Sequence, residues 1–447
     1  MVWSVIFAAI AATNLIGRLE PVTVFGSRIG SDKAFFACKT DIISSDEIKS
    51  SRAVDLPDLL SKKSLVNTVS MNGTPHLRSI SLRGFGDYGF GRVKIALGSE
   101  ILNNVDMSEP NLTRIALDDI DRVELLHGPS SVLYGDGAVA GVVKIVEDDG
   151  RSEPFTKLSL KSGSCDTYAG AFSTRQLVDD VMYKLSYGYQ KSGGFRDRTA
   201  YDMHTMNASV KRFFMNESFV GFKVNFQNAF YELPGALTFE EWKASRKKAK
   251  YGGDWARLWS FAGAFNSKIK LSDAAVLYVD GGFSKQYRHA VYRSSLSDLE
   301  FDYYSYSFTP RYVNDKDVFG RRNRFAAGID LFYDDFRENH PLSWGSKGVK
   351  RAFERLRNAY YVHDEFSLTD EISLSAGARL EMIHNRFNGY SSVREHSDTD
   401  IMDDYELGVA YRPKDGLKLY AKGSVFHRSA FCGEMSYTKS GNLLEPE

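Results

Sequence analysis

This sequence of 447 residues contains few cysteines and no excess of basic charge, and each of these two features excludes a class of protein. Only three cysteines are present (Cys38, Cys165 and Cys432), and no Cys or His spacing typical of a zinc site accompanies them. Lys plus Arg balances Asp plus Glu at 57 each, and no block of basic residues indicates a nucleic-acid groove. The sequence therefore predicts no disulfide framework, no zinc centre and no nucleic-acid partner.

Long hydrophobic runs are also missing. No segment reaches the roughly 18 consecutive apolar residues of a membrane helix, so any membrane span must be built from strands. The apolar run from Val2 to Ala12 is too short to span as a helix and contains an Ala-x-Ala pattern at residues 9–11. Although no Lys or Arg precedes it, this pattern is typical of a secretory leader. We therefore expect residues 1–12 to be a signal peptide, either atypical or with a displaced start.

Catalytic patterns are absent as well. No nucleophile elbow, convincing carboxylate pair or metal-binding histidine spacing occurs. Residues 84–89 satisfy the pattern G-x-G-x-x-G, but the segment after them indicates a strand, whereas a dinucleotide site needs a helix there. We therefore expect a protein that is not an enzyme and that carries no cofactor and no metal.

The sequence does contain many aromatic residues and long alternating segments. Aromatic residues make up 13% of the chain, with 24 Tyr and 30 Phe. Apolar and polar residues alternate in at least four segments of the second part: 220–227, 372–382, 405–412 and 417–422. Because side chains on a strand alternate between two faces, each segment predicts a strand with one apolar and one polar face.

Two architectures share this alternation, a soluble β-sandwich and a transmembrane β-barrel. The predicted strands are long, roughly ten or more residues each, which is the length that a tilted membrane strand needs. Connections also alternate between tight turns, at Thr369–Asp370 and 414–416, and long loops, at 232–256 and 337–354. Both features favour the membrane barrel, with about thirteen strands between residues 155 and 430.

The first 150 residues predict a different, mixed unit. A helix-like segment covers Asp46 to Lys62, and Pro57 indicates a helix start within it. Gly98–Ser99 predicts a two-residue hairpin, and Val123–Leu126 and Val142–Val146 predict strands. Acidic pairs at residues 118–119 and 148–149 are typical of exposed turns.

Within this unit, residues 122–146 read RVELLHGPSSVLYGDGAVAGVVKIV, and residues 81–86 read SLRGFG. Together these segments closely resemble the plug domain of TonB-dependent outer-membrane receptors. The resemblance implies a structural role for the following motif residues: Arg83, Gly84, Gly128, Pro129, Tyr134, Gly135 and Gly137. Arg83 has the planar, bidentate donor group needed to hold a carboxylate across a plug–barrel interface.

The resemblance implies a fold and its domains. We expect an all-β transmembrane barrel with an N-terminal α+β plug domain in its lumen: a TonB box region and linker at 13–30, the plug at 31–150 and a partial barrel at 151–447. About thirteen of the family's twenty-two strands are accounted for. Residues 440–447 resemble a motif that the family carries well before its end, so we expect an incomplete barrel.

The N-terminal segment 20–28 reads EPVTVFGSR. Its resemblance to the family implies that Glu20, Pro21, Val22, Thr23 and Val24 bind the TonB energy-transducing protein. An extended segment that adds edge-on to a partner sheet suits this role. The alternative is that the same residues form the first strand of the plug itself.

The implied function is energised uptake of a scarce nutrient across the outer membrane of a Gram-negative-type bacterium. The ligand would be a small molecule or metal chelate, with a ferric siderophore favoured over cobalamin, haem or a glycan. Candidate ligand residues lie in loops: Asp87, Tyr88, Phe90, Tyr231, Trp242 and Trp255. We expect a monomer in contact with outer-membrane lipid. The alternatives are a non-functional truncated product, a plug-less porin and a soluble β-rich binding protein.

Overall fold

The structure is a computed structural model. It describes residues 5–6, 23–24, 28, 30–32, 36–53, 55–63, 66–70, 78–147, 154–342, 349–390, 393–414, 416–435 and 446.

Short elements make up the first 147 residues. In chain order they are β1 (Val5–Ile6), β2 (Thr23–Val24), β3 (Ser31–Asp32), β4 (Lys39–Ile43), α1 (Ser45–Ser50), α2 (Leu56–Ser61), β5 (Val66–Ser70), β6 (Arg78–Leu82), β7 (Val93–Leu97), β8 (Glu100–Ile101), β9 (Ile120–His127), α3 (Ser131–Tyr134) and β10 (Gly141–Glu147). Single 3₁₀ turns lie at Gly86–Gly91, Leu112–Arg114 and Leu117–Asp119. The predicted strands and the Gly98–Ser99 hairpin are confirmed.

A five-stranded sheet forms the centre of this unit, the plug. Its strand order is β4-β9-β10-β7-β8, with β10 and β7 parallel and the other neighbours antiparallel. Strands β9 and β10 are apolar on both sides because the sheet is covered on both faces. One face packs on α1 and α2, so Val123, Val143 and Leu59 lie in one buried cluster. The plug therefore has a hydrophobic core of its own.

The predicted helix over Asp46–Lys62 is instead two helices. Ser44 and Glu47 cap α1 reciprocally, each side chain bonding the other's backbone N–H. Asp55 then accepts the N–H of Asp58 and starts α2, with Pro57 in its first turn as predicted. The chain turns between the two helices, where Arg52 adopts a positive φ of 54°. Among the described residues no helix combines the length and the apolar character needed to cross a membrane.

Long antiparallel strands make up the rest of the chain. They are β11 (Phe155–Gly163), β12 (Thr167–Val178), β13 (Val181–Ser192), β14 (Tyr201–Phe213), β15 (Phe219–Glu232), β16 (Trp255–Lys270), β17 (Ala275–Tyr292), β18 (Ser297–Phe308), β19 (Arg311–Asn314), β20 (Asn323–Leu342), β21 (Val349–Ser367), β22 (Ile372–Tyr390), β23 (Val393–Lys414) and β24 (Leu417–Val425). Helix α4 (Phe239–Ala244) lies between β15 and β16, and α5 (Cys432–Met435) follows β24.

These strands form one sheet, the wall, in which sequence neighbours pair. Both β18 and β19 lie between β17 and β20, and Thr309–Pro310 separates them. Because proline cannot donate to the ladder, the two segments are one interrupted strand. The described residues from 155 to 425 therefore fill thirteen strand positions, the number expected from the sequence. At the β24 edge the short strand β1 adds two residues.

Connections at the two ends of the wall differ in length. At one end, the turn end, lie short connections such as 179–180, 368–371 and 415–416. The other end, the loop end, carries the long connection 233–254 between β15 and β16, which contains helix α4. The predicted long loop at 337–354 is wrong, because β20 continues through Leu342 and β21 begins at Val349.

The burial pattern of the wall is the reverse of a soluble sandwich. On β15, Phe222 is 55% exposed, whereas Gln227 on the opposite face is fully buried. On β23, Leu407 is 69% exposed, whereas Glu406 is 4% exposed. The apolar face therefore points away from the protein and the polar face points toward the plug, as in a transmembrane barrel. The expected fold, a β-barrel-like sheet with an N-terminal plug, is confirmed, and the soluble β-sandwich is excluded.

Candidate functional site

Two glycines shape the segment that connects β9 to β10, which we call the plug motif (residues 128–141). Gly135 ends α3 with φ 71°, and a Cβ there would lie 2.5 Å from the Glu381 carboxylate of the wall. Gly141 has φ 151°, and a Cβ there would lie 2.2 Å from the Leu126 carbonyl oxygen. Both positions thus need glycine for backbone conformation and for space. Gly135 allows the plug backbone to approach the wall closely, and Gly141 allows β10 to approach β9 within the plug.

Asp136 follows Gly135, and two of its groups contact three residues of the wall and of the segment that follows it. Its backbone N–H donates to Glu381 at 3.2 Å, and its carboxylate accepts the Ser429 N–H at 2.7 Å. The same carboxylate lies 3.8 Å from the Arg355 guanidinium. Its backbone carbonyl accepts a hydrogen bond from Lys94 of β7. Asp136 therefore fixes the tip of the plug motif to strands β21 and β22 and to the segment after β24.

Lys94 is a buried cation at this contact. Burial and the nearby Arg357 guanidinium lower the pKa of Lys94 to about 8, while Asp136 opposes them. Desolvation disfavours the charged form of an amine, and one carbonyl acceptor compensates only part of that cost. Burial at this position therefore lowers the pKa of the Lys94 ammonium group, although Asp136 lies beside it.

A second set of charges, which we call the ion chain, joins the N-terminal segment to the wall. Arg28 donates to both carboxylate oxygens of Asp330, at 2.7 and 2.8 Å, and to the Leu133 carbonyl. Asp330 also lies 2.8 Å from Arg379, which in turn lies 2.8 Å from Glu381. Bidentate pairs of this kind are strong and directional. The ion chain therefore runs from the N-terminal segment through the wall to the backbone of Asp136.

Arg28 also packs between two aromatic rings. Its guanidinium lies 5.0 Å from the ring of Tyr361 on the wall and 5.7 Å from the ring of Tyr134 in the plug motif. Guanidinium groups at such distances are attracted by the ring quadrupole. Tyr134, a predicted motif residue, is buried, and its structural role is consistent with this packing.

The predicted TonB-binding segment is only partly described. Thr23 and Val24 form β2, which pairs with β3 through Thr23↔Asp32 and Val24↔Ser31. Glu20, Pro21 and Val22 lie outside the described residues. The alternative expectation, a strand of the plug itself, corresponds to this local hairpin. The binding role of the segment stays a prediction.

The remaining motif residues occupy turns. Arg83 and Gly84 follow β6 on an exposed turn, with φ of 56° and 80°. In the described part of the chain no carboxylate partner is found for Arg83, and the carboxylates at the plug–wall contact are held by other cations: Arg28, Lys157, Lys184, Lys223 and Arg355. Gly128 has φ 110° at the end of β9, next to the half-buried Pro129, and Gly137 has φ 81°.

Asp119 corrects one expectation. It was expected in an exposed turn with Asp118, yet only 8% of it is exposed. Its carboxylate lies 2.8 Å from the Lys184 ammonium and accepts a hydrogen bond from Ser186, both on β13. The local sequence predicts a turn correctly, but the wall covers that turn. Residues 148–149 lie outside the described part.

The candidate ligand residues do not form a single site. Asp87, Tyr88 and Phe90 lie in the 3₁₀ turn Gly86–Gly91, which approaches Phe431 of the segment after β24. Tyr231 is buried in a cluster with Met203 and Leu233 below the loop end.

The two candidate tryptophans lie apart from that turn. Trp255 pairs with Glu232 on the outward face of the wall and contacts Phe230 and His289 at 6.0 and 5.3 Å between ring centroids. It belongs to an aromatic band rather than to the lumen. Trp242 lies on α4 of the loop, stacked on Phe239.

Sequence reasoning missed the residues that join plug and wall: Arg28, Asp136, Asp330, Arg355, Arg379 and Glu381. One signal was available for two of them. Arg379 and Glu381 are polar members of the alternating segment 372–382, and polar positions of a barrel strand face the lumen. The pairing of these residues could not be derived, because only the packing of the plug against the wall brings them together.

Comparison with known proteins gives concordant results. Residues 36–142 match the family model described as TonB-dependent Receptor Plug Domain. Over 177 residues the chain is 28% identical to Vitamin B12 transporter BtuB of Vibrio vulnificus, covering 39% of this chain and 28% of that protein. Over 81 residues it is 37% identical to Metal-pseudopaline receptor CntO of Pseudomonas aeruginosa, covering 17% of this chain and 11% of that protein. The aligned part thus spans less than a third of either relative.

The whole fold has close structural neighbours. The crystal structure of ferric citrate transporter FecA in the unliganded form superposes with a TM-score of 0.82 at 16% identity. The match covers 96% of this chain and 69% of FecA, so plug and wall have the same arrangement in both. The chain therefore carries a plug domain that matches the TonB-dependent receptor family over residues 36–142, and its whole fold is similar to that of FecA.

Proposed function

We propose that the chain is the plug-bearing part of an outer-membrane receptor that takes up a scarce nutrient with energy supplied through TonB. TonB-dependent receptors are transporters rather than enzymes, and they reside in the outer membrane of Gram-negative bacteria. The observation that carries the proposal is the ion chain. Arg28, four residues after β2, bonds both the plug motif and the wall. A pull on the N-terminal segment would therefore act directly on the contact between plug and barrel.

The charged pairs between plug and wall support the proposal that the plug can move. Charged side chains of plug and wall meet at Arg28–Asp330, Asp119–Lys184 and Glu147–Lys223. Polar groups can be rehydrated when the two surfaces separate, whereas a purely apolar interface would expose hydrophobic area to water. The contact is therefore suited to reversible opening of the lumen.

The loop end supports capture of an anionic ligand. Helix α4 carries the exposed rings of Phe239 and Trp242, with Lys243 4.3 Å above the first ring and Arg246 4.7 Å above the second. Cations beside aromatic faces suit anionic chelates with planar groups. We propose a ferric siderophore as the ligand, with Asp87, Tyr88, Phe90, Tyr231 and Trp242 as candidate contacts. BtuB, CntO and FecA are named for vitamin B12, metal–pseudopaline and ferric citrate. Cobalamin, haem or a glycan are the alternative ligands.

We further propose that the receptor functions as a monomer in outer-membrane lipid and that residues 20–24 bind TonB.

Uptake of radioactive ferric siderophores by cells that carry the gene tests the energised uptake and the role of residues 20–24. Val24→Pro should abolish strand addition to TonB, since proline lacks the N–H donor, while surface binding of the chelate persists. Pro234→Ala, in the outer loop, is a control that leaves TonB binding intact. Uptake that continues in Val24→Pro cells, or after proton-motive force is dissipated, would contradict energised transport.

A further inference from the structure

A cavity of about 660 Å³ lies between the plug and the wall, at strands β13–β17. Small residues of the wall line part of it, including Ala262, Gly263, Ala264, Gly281 and Gly282. Its wall residues come from the beginnings of β15 and β17, so the cavity lies in the turn-end half of the barrel. It is therefore separate from the ligand loop at 233–254.

The lining is basic. Nine Lys and Arg residues and five Asp and Glu residues line the cavity. Several of these charges are neutralised by each other: Lys184 pairs with Asp119 at 2.8 Å and Lys223 with Glu147 at 2.6 Å. The excess is positive, and in a space that is largely shielded from water such an excess attracts anions more strongly than on the surface.

Lys144 and Arg311 carry the excess that is not neutralised. Lys144 of β10 is 9% exposed, and in the described part of the chain its ammonium has no hydrogen bond or ion pair. Arg311 stacks on Tyr278 at 4.5 Å, and its Nε lacks a hydrogen-bond partner. Asp280, which also lines the cavity, is the carboxylate that faces both cations. The buried Lys144 and the half-buried Arg311 thus share Asp280, and Glu124, which pairs with Arg122, lies opposite Lys144 on β9.

Burial and the guanidinium groups of Arg311 and Arg28 lower the pKa of Lys144 to about 7. An anion in the cavity would offset this repulsion and restore the charged amine. A guanidinium group presents parallel N–H donors that match carboxylate or phosphate oxygens. The volume is in the range of small-molecule sites.

We propose that this cavity binds a small, multiply charged oxyanion between the Lys144 ammonium and the Arg311 guanidinium. The site requires only the packed plug and wall, and it does not depend on the proposed uptake or on TonB. Its ligand class is a compact polycarboxylate or phosphate, which is small enough to be held without the outer loops.

Calorimetric titration of the detergent-solubilised protein with citrate and with inorganic phosphate tests the site. Lys144→Met and Arg311→Gln should each weaken the binding of the preferred probe by about tenfold or more, because a buried charged hydrogen bond is lost. Lys316→Met is the matched control: it removes one positive charge from an exposed turn outside the cavity and should leave affinity unchanged. Absence of binding by both probes, or equal weakening in all three variants, would overturn the proposal.

A second measurement needs no variant. An amine-acylating reagent should modify Lys144 in the wild-type protein, because its amine is partly neutral near pH 7. Citrate or phosphate should protect Lys144 in peptide mass spectra, while modification of Lys316 proceeds unchanged. If Lys144 is modified at the same rate with and without either anion, the cavity holds no oxyanion at this residue, whatever the variants show.

Discussion

Single residues in the plug carry charges whose properties follow from burial rather than from sequence neighbours. Glu109 is half-buried in the plug segment that follows β8. Burial raises the pKa of its carboxyl group to about 7, and the carboxylate of Asp106 adds to the effect. Glu47, on α1, has the opposite environment: the Lys63 ammonium and the Ser44 N–H hold its pKa below the usual value. Nothing in the local sequence separates these two glutamates.

We predict that plug stability falls as pH rises from about 4.5 to about 7, in part because of Glu109. The unfolded state loses this proton near pH 4.5 and the folded state retains it to about pH 7, so deprotonation favours unfolding across that window. Urea unfolding of the plug at a series of pH values measures the slope. Glu109→Gln should reduce it, although Asp119, whose pKa is also raised by burial, keeps part of it.

Glu47→Gln provides the control for that series. Its folded pKa is lowered, so its stabilisation is complete above the usual value of 4.5 and is lost only as pH falls further. The variant should therefore lower stability at neutral pH without changing the slope between pH 4.5 and 7. An unchanged slope in Glu109→Gln would show that its carboxyl group ionises normally in the plug.

At the scale of the strand, alternation was the most informative signal in the sequence. Segments 220–227, 372–382, 405–412 and 417–422 all lie within wall strands, because a period of two is specific to extended chain. Residues 337–354 have the composition of a loop, with Pro341, two glycines and several charges, although most of them lie in β20 and β21. Neighbouring strands supply ladder partners there, for instance Asn339↔Glu300, and tertiary pairing overrides the local preference. The motif glycines were predictable, whereas the partners of Asp136 were not.

We predict that the outward face of β23 is embedded in lipid. Leu407→Arg should destabilise the protein in lipid vesicles by about 2–4 kcal/mol, because a charge placed on the lipid face near mid-membrane is poorly solvated. Leu296→Arg is the control: Leu296 is 63% exposed, close to the 69% of Leu407, but it lies in the connection after β17. Reversible urea unfolding in vesicles measures both. Equal destabilisation by the two substitutions would show that β23 is not embedded.

At the scale of the whole molecule, plug and wall are joined by both apolar and charged contacts. Two apolar clusters join them: Leu126 and Tyr134 of the plug meet Val313 and Tyr361 of the wall, and Val105 of the plug packs with wall aromatic residues such as Phe353. Lys418 of β24 also donates to the Phe36 and Cys38 carbonyls at 3.0 Å. The plug has its own core, so that core would stay buried on separation from the wall, whereas the charges buried at the contact would lose their partners. The strength of the contact should then depend on a few buried charges.

Asp330 is the most exacting test of that conclusion. It is 1% exposed and bonds Arg28 and Arg379 together, so Asp330→Asn leaves two buried guanidinium groups with one less counter-charge. Breaking a buried ion pair from one side costs about 3–5 kcal/mol. We expect the free energy of local opening at β9 and β10 to fall by about that amount in native-state hydrogen exchange, while β12 and β13 change little. Asp302→Asn, which removes an outward carboxylate 3.9 Å from Lys285, should cost no more than about 1 kcal/mol.

The double variant Arg28→Met with Asp330→Asn shows whether Asp330 acts through its ion pair with Arg28 or whether its substitution causes a general loss of packing. If Asp330 acts mainly by compensating Arg28, removal of both charges should restore much of the protection at β9 and β10, because no uncompensated guanidinium then remains beside Leu133. The two losses should add instead if each residue acts through contacts of its own. Additive losses, together with equal effects of Asp330→Asn and Asp302→Asn, would mean that the plug is held by its apolar contacts. A pull on the N-terminal segment would then have no direct path to the wall.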